Sequence, residues 1–161
     1  MMYRSMQTLC LLALVPLVSN CGSAEQQDIG ERFATGPLKE LNIPLTAAPE
    51  GASIAITAPA DGAVVSSPVA VKFAAENVKI RLPGTFYPGS GHYHLLIDTD
   101  APSATAVIPA DAQHLDLIRK ETEIQLELSP GSHTLQLLLG DGNHVPHDPP
   151  VLSEKITITV Q

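Results

Sequence analysis

From Ser53 to the end of the chain, apolar side chains recur at every second position, and Pro, Gly and Asp interrupt them. A period of two puts alternate side chains on opposite faces of an extended strand. Ser53-Ile54-Ala55-Ile56-Thr57 is the first such run, closed by Ala58-Pro59-Ala60-Asp61-Gly62, and Val69-Ala70-Val71-Lys72-Phe73-Ala74-Ala75 is the second. In the third, Tyr93, Leu95 and Ile97 share one face, with His92, His94, Leu96 and Asp98 on the other. Ile124, Leu126 and Leu128 then alternate with Glu123, Gln125 and Glu127 up to Pro130-Gly131. His133–Leu139 follows and ends at Gly140-Asp141-Gly142, and Ile156-Thr157-Ile158-Thr159-Val160 is the last run, rich in β-branched residues. Short strands at regular spacing predict an all-β fold, an antiparallel sandwich of immunoglobulin-like type. Only residues 111–121 break the period, and they are expected to form a helical turn or an irregular crossover.

The first twenty residues follow a different rule. Arg4 is their only charge and precedes the apolar stretch Leu9-Cys10-Leu11-Leu12-Ala13-Leu14-Val15-Pro16-Leu17-Val18. This has the layout of a secretory signal peptide and is too short for a stable membrane span. It ends in Val18-Ser19-Asn20-Cys21-Gly22, which resembles a bacterial lipobox, with Val18 in place of the usual Leu and Asn20 in place of Gly or Ala. The resemblance implies acylation of Cys21 and a lipid anchor in the membrane. Gly22, rather than Asp, after the cysteine implies the outer membrane, facing the periplasm. An ordinary cleaved signal that leaves Cys21 free is the competing reading. Residues 21–50 are rich in Gly, Ala, Gln, Glu and Pro and read as the lipidated cysteine and a flexible linker, with a short helix conceivable near Gly36–Leu41. One domain is then expected over 51–161.

Loss of residues 1–20 changes the chemistry available. Met1, Met2, Met6 and Cys10 go with them, and acylation consumes Cys21, so the mature chain has no Met, no Trp and no free thiol. A disulfide and a soft sulfur ligand are both excluded. The whole chain has 9 basic and 17 acidic residues, a net charge of −8; without Arg4 the balance is 8 against 17, or −9. Such a surface repels phosphate backbones, which excludes nucleic acid as a partner.

All six histidines fall between His92 and His147, and four form two tight pairs, Gly91-His92-Tyr93-His94 and Asn143-His144-Val145-Pro146-His147. Imidazole is the commonest metal ligand. His92 and His94, two apart on a strand, project from one face. Pro146, Pro149 and Pro150 restrict the backbone around His144 and His147. In an immunoglobulin-like layout the strand near 93 starts at the end where its antiparallel neighbour near 135 finishes, so the two pairs meet there. The crossover before the strand near 124 can bring His114 to the same end. His92, His94, His144, His147 and His114, with Asp98, Asp141 or Asp148, therefore make a candidate site for Zn²⁺ or Cu(II), both of which accept nitrogen and oxygen ligands. His133 starts its strand at the opposite end, where such domains often place a tyrosine corner, and reads as a structural brace.

Three stretches also carry a family resemblance: Gly89-Ser90-Gly91-His92-Tyr93-His94-Leu95-Leu96-Ile97-Asp98, Pro130-Gly131-Ser132-His133-Thr134-Leu135-Gln136-Leu137, and Gly140–Pro150. They resemble the uncharacterised bacterial family known as domain of unknown function 4399. The resemblance spans most of 53–161 and implies the fold and a secreted address. It implies no activity. No residue set announces catalysis either. Asp111, Asp116, Glu121 and Glu123 lack a sugar-binding aromatic platform, Ser90, Ser103 and Ser132 lack a nucleophile elbow, and no full calcium-loop pattern is present. Two readings follow. One is a non-catalytic metal-binding module; the other is a protein-interaction module whose histidines only brace loops. A metalloenzyme is a third, weaker reading.

Overall fold

The computed structural model describes residues 45–119 and 121–161. The expected signal segment, the lipidation site Cys21 and most of the expected linker lie outside the described residues. Among the described residues nine strands follow in order: β1 (Ser53–Ala58), β2 (Val64–Val65), β3 (Val69–Glu76), β4 (Lys79–Ile80), β5 (Ser90–Ile97), β6 (His114–Leu117), β7 (Glu123–Leu126), β8 (Gly131–Gly140) and β9 (Ile156–Val160). They form two sheets, β1-β3-β7 and β2-β9-β8-β5-β4, with β6 joined to β5. This is the expected all-β sandwich of immunoglobulin-like type. The long pairings are antiparallel; the two-residue strands β2 and β4 add parallel edges to β9 and β5.

Alternation fills the space between the sheets. Val69, Val71 and Phe73 of β3 are buried while Ala70, Lys72 and Ala74 are exposed, and Ile156, Ile158 and Val160 of β9 alternate with Thr157 and Thr159 in the same way. From β5 and β8 come Tyr93, Leu95, Ile97, Leu135, Leu137 and Leu139. The Phe73 and Tyr93 rings meet across the layers, with centroids 5.2 Å apart and planes at 59°, a tilted packing that aromatic quadrupoles favour.

β5 departs from this rule, because all eight of its residues are buried. Its outer face, which carries His92, His94 and Leu96, is covered too. Leu96, Leu138 and Ile108 form a second small cluster there, with Ala101 packed on it, so the cover comes from the long β5–β6 connection. Burial of a strand on both faces makes its period invisible to hydropathy and leaves its polar side chains in need of partners.

Residues 111–121 are not a helical turn or an irregular crossover, because His114–Leu117 forms strand β6 along the free edge of β5, pairing Tyr93 with Leu117 and His94 with Asp116. The short alternation His114-Leu115-Asp116-Leu117 is a strand pattern: Leu117 faces the core, and His114 and Asp116 face outward beside His94. Residues 46 and 48, within the expected linker, pair with the β8–β9 loop. Asp148 N–H donates to Thr46 C=O and Ala48 N–H to Asp148 C=O, at 2.9 and 3.0 Å. Among the described residues, no helix is long and apolar enough to cross a membrane.

His133 braces the end of the sandwich opposite His92. Its Nδ1 lies 2.7 Å from Asp98 Oδ2 and its Nε2 2.9 Å from Ser129 C=O, while Asp98 Oδ1 accepts Thr134 N–H at 2.7 Å. The bond back to Ser129, four residues upstream, is the one a tyrosine corner supplies. Asp98 holds a left-handed backbone, φ 53°, which its carboxylate stabilises by these contacts. With acceptors at both nitrogens, the ring is stabilised as imidazolium. The Asp98 hydrogen bond, then that of Ser129, raise the His133 pKa above its ordinary 6.5. Burial alone would raise the Asp98 carboxyl, but hydrogen bonds from His133 and Thr134 outweigh it and leave the pKa below 3.8.

A histidine with a raised folded value contributes fully below pH 6.5 and loses that contribution as the pH rises through the folded value. The depressed aspartate contributes above pH 3.8 and loses its share as the pH falls through the folded value. The pair is therefore at full strength between these limits. Because the Asp98 side chain is 41% exposed, solvent screening discounts its worth. His133→Phe is expected to cost about 1 kcal/mol at pH 5 in urea denaturation, with the difference from wild type shrinking by pH 9. A difference that does not change with pH would remove the ion pair from the account.

Candidate metal centre

Two strands and one loop bring polar atoms together on the covered outer face of β5. His92 and His94, 1% and 2% exposed, stand on that face because they are two residues apart. β6 sets Asp116 directly beside His94. The β8–β9 loop brings in His144, which takes a left-handed backbone with φ 59°. That conformation costs a non-glycine residue about 1 kcal/mol or more, and the surrounding bonds enforce it. Asp141 Oδ1 accepts the N–H groups of Asn143 and Val145 at 2.8 and 3.0 Å, and His144 C=O accepts Ile108 N–H at 2.7 Å.

The resulting geometry is unusual for hydrogen bonding. His92 Nε2 lies 2.9 Å from His94 Nε2, 3.2 Å from His144 Nδ1 and 3.5 Å from Asp116 Oδ1. His144 Nδ1 is also 3.5 Å from Asp116 Oδ2. An imidazole nitrogen has either one proton or one lone pair, so His92 Nε2 can satisfy only one of three neighbours. A divalent ion satisfies them together. Tetrahedral ligands at about 2.0–2.1 Å from Zn²⁺ stand about 3.3–3.4 Å apart, close to these separations. One ligand atom from each of the four residues lies within 4.8 Å of all the others, so a small inward shift of the widest pair closes the shell. Asp116 Oδ1 is buried without a hydrogen-bond partner, as is His94 Nδ1. The latter departs from common practice, in which a ligand imidazole donates its second N–H to a carbonyl or carboxylate.

The charge state suits an ion as well. Burial, then the neighbouring His144, lowers the His92 pKa from 6.5 to about 4. Burial, then His92 and His144, lowers that of His94 to about 3. Both rings are neutral near pH 7 and present lone pairs. Burial raises the Asp116 carboxyl above its ordinary 3.8, opposed by His144.

His92, His94 and His144 thus come together, while two other histidines of the expected site stand outside the group. His147, fully buried, spends its ring on backbone carbonyls, with Nδ1 3.4 Å from Leu139 C=O and Nε2 3.2 Å from Ser90 C=O. His114 lies on the right face, but its Nδ1 is 2.8 Å from Asp111 Oδ1, held by the turn that starts β6. None of the three aspartates expected as ligands joins the group. Asp98 holds His133, Asp141 folds the β8–β9 loop, and the backbone of Asp148 pairs with Thr46 and Ala48. Asp116 takes the carboxylate position instead. Its signal in the sequence was the spacing His114-x-Asp116.

Residues 71–161 match the family described as Domain of unknown function (DUF4399). The chain belongs to this family. The matched span holds all four residues of the group, so the candidate centre lies wholly inside the DUF4399 domain. No curated protein matches the chain. Among solved structures it is similar to the fibronectin(III)-like modules of Clostridium thermocellum CbhA, at 15% identity over 66% of this chain and 92% of that one, with a TM-score of 0.32.

Within the DUF4399 domain the centre also depends on a missing side chain. A Cβ on Gly140, opposite His92 in the β5–β8 register, would sit 2.8 Å from His94 Nε2 and 3.2 Å from Ile108 Cδ1. Gly140→Ala is expected to cost about 1–3 kcal/mol through overpacking and to displace the His94 ring. Urea denaturation gives the cost and the imidazole NMR signals give the displacement. An unchanged His94 signal would show that the ring does not lie against β8.

Proposed function

We propose that this DUF4399 protein is a non-catalytic module that holds one Zn²⁺ or Cu(II) ion through His92, His94, His144 and Asp116, carried on an envelope lipoprotein. The observation that supports it is the convergence of three nitrogens and a carboxylate oxygen on a point that hydrogen bonding cannot satisfy. With three neutral imidazoles and one carboxylate, a divalent ion keeps a net charge of about +1, which the acidic chain tolerates. Nitrogen and oxygen ligands with no sulfur suit Zn²⁺ and Cu(II). The bracing reading accounts for His114, His133 and His147, each bonded to a carboxylate or to carbonyls. It does not account for His92, whose nearest polar neighbours are other ligands.

Calorimetry on the chelator-treated full chain in detergent is expected to show one ion bound at about micromolar Kd or tighter. The double variant His92→Ala/His94→Ala should bind at least about a hundredfold more weakly, and His133→Phe should bind as wild type. Wild type and double variant both binding no tighter than about millimolar would end the metal reading.

The address belongs to the same proposal: acylation at Cys21 anchors the protein to the outer membrane, facing the periplasm. Labelling of bacterial cells with a palmitate analogue should mark the wild-type chain and not Cys21→Ala. No label on the wild-type chain would leave an ordinary secreted protein, and equal labelling of both would place the acylation elsewhere than Cys21.

A further inference from the structure

A second site lies on the other side of Asp141. Between the β4–β5 connection and the β8–β9 loop is a cavity of about 270 Å³, whose walls include Thr46, Phe86, Tyr87, Ser90 and Asp141. That volume is just below the range of ligand pockets, about 300 to 1,000 Å³, and suits a very small ligand. Phe86 and Tyr87 are each 65% exposed, an unusual placement for two adjacent aromatic residues.

Two hydroxyls of the wall, those of Thr46 and Ser90, have their hydrogens already committed to neighbouring oxygens. The Thr46 hydroxyl donates to Asp141 Oδ2 at 2.6 Å, and the Ser90 hydroxyl donates to Tyr87 C=O at 2.8 Å. Each hydroxyl oxygen is left with lone pairs and no proton to offer. Asp141, 5% exposed, adds a carboxylate held only by neutral donors, the Thr46 hydroxyl and two backbone N–H groups. None of the ion pairs among the described residues includes it. A buried carboxylate with no ion-pair partner, two hydroxyl oxygens whose hydrogens point elsewhere and two exposed aromatic rings together match a small organic cation with several N–H groups.

We propose that this cavity binds a primary alkylammonium ion, with the ammonium toward Asp141, Thr46 and Ser90 and the alkyl chain along Phe86 and Tyr87. The net charge of −8 favours such a ligand over any anion. An ammonium has three donors and no acceptor, the complement of the Asp141, Thr46 and Ser90 side-chain oxygens. The site does not rest on metal binding, although Asp141 also closes the loop that carries His144.

The test is a titration of the full chain in detergent, in excess chelator at pH 7, with n-butylamine and with butan-1-ol as its neutral counterpart. The amine is expected to saturate one site, and the alcohol to bind at least about tenfold more weakly. Phe86→Ala/Tyr87→Ala, which alters only exposed side chains, should weaken the amine about tenfold or more and leave Zn²⁺ affinity unchanged. Asp141→Asn, checked for folding by circular dichroism, should weaken it further. Absence of saturation by the amine, an alcohol within about threefold of it, or full amine affinity in the aromatic double variant would each overturn the proposal.

Discussion

Three imidazoles placed side by side on a covered sheet face have little but one another to bond to, and much of the local structure follows from that constraint. The cover is apolar, made by Ile108 and Ala101 over Leu96 and Leu138. It removes water from His92 and His94 and lowers both pKa values. Desolvation favours the neutral ring, and the neighbouring imidazoles oppose a proton further. A site built this way repels protons and favours a group that accepts lone pairs without adding another imidazolium. The absent side chain at Gly140 lets the His94 ring lie against β8. The left-handed turn at His144 aims its Nδ1 at the same point.

One residue type serves opposite ends of the domain in opposite charge states. At the exposed end, His133 has a carboxylate and a carbonyl as acceptors and is pushed toward imidazolium. At the covered end, His92 and His94 face nitrogens and lose affinity for protons. His147 takes a third course, bonding to backbone carbonyls from full burial. Neighbours, not the residue, decide the role, and a count of histidines therefore overstates any site.

This difference also explains what was legible in the chain. Strands such as β3 and β9 followed from the period of two, because each faces the core on one side and solvent on the other. The meeting of His92, His94 and His144 followed from strand order alone. The strand β6 did not, because it is four residues long and Leu115 is only partly covered at the sheet edge. With β6 unrecognised, Asp116 had no reason to be placed beside His94. His147 and His144 looked equivalent in a Pro-rich loop; only the backbone path separates one that turns toward β6 from one that turns under Gly91. Side-chain direction within an irregular loop is set by tertiary bonds, here those of Asp141, and periodicity does not record it.

Asp141 is where these threads join. Its Oδ1 closes the loop that presents His144, and its Oδ2 holds Thr46 on the segment leading into the domain. The same segment pairs with Asp148 through Thr46 and Ala48, so the loop is clasped from both ends. Ordering a loop of this length costs about 1–2 kcal/mol per residue in backbone entropy. Without the clasp that cost would fall on metal binding, because His144 would have to be ordered by the ion itself. With it, the fold has already ordered the loop, and an ion bound as proposed would meet three ligands from β5 and the loop close to their final places. Residues 45–48, far in sequence from any ligand, are thus part of what makes the centre rigid.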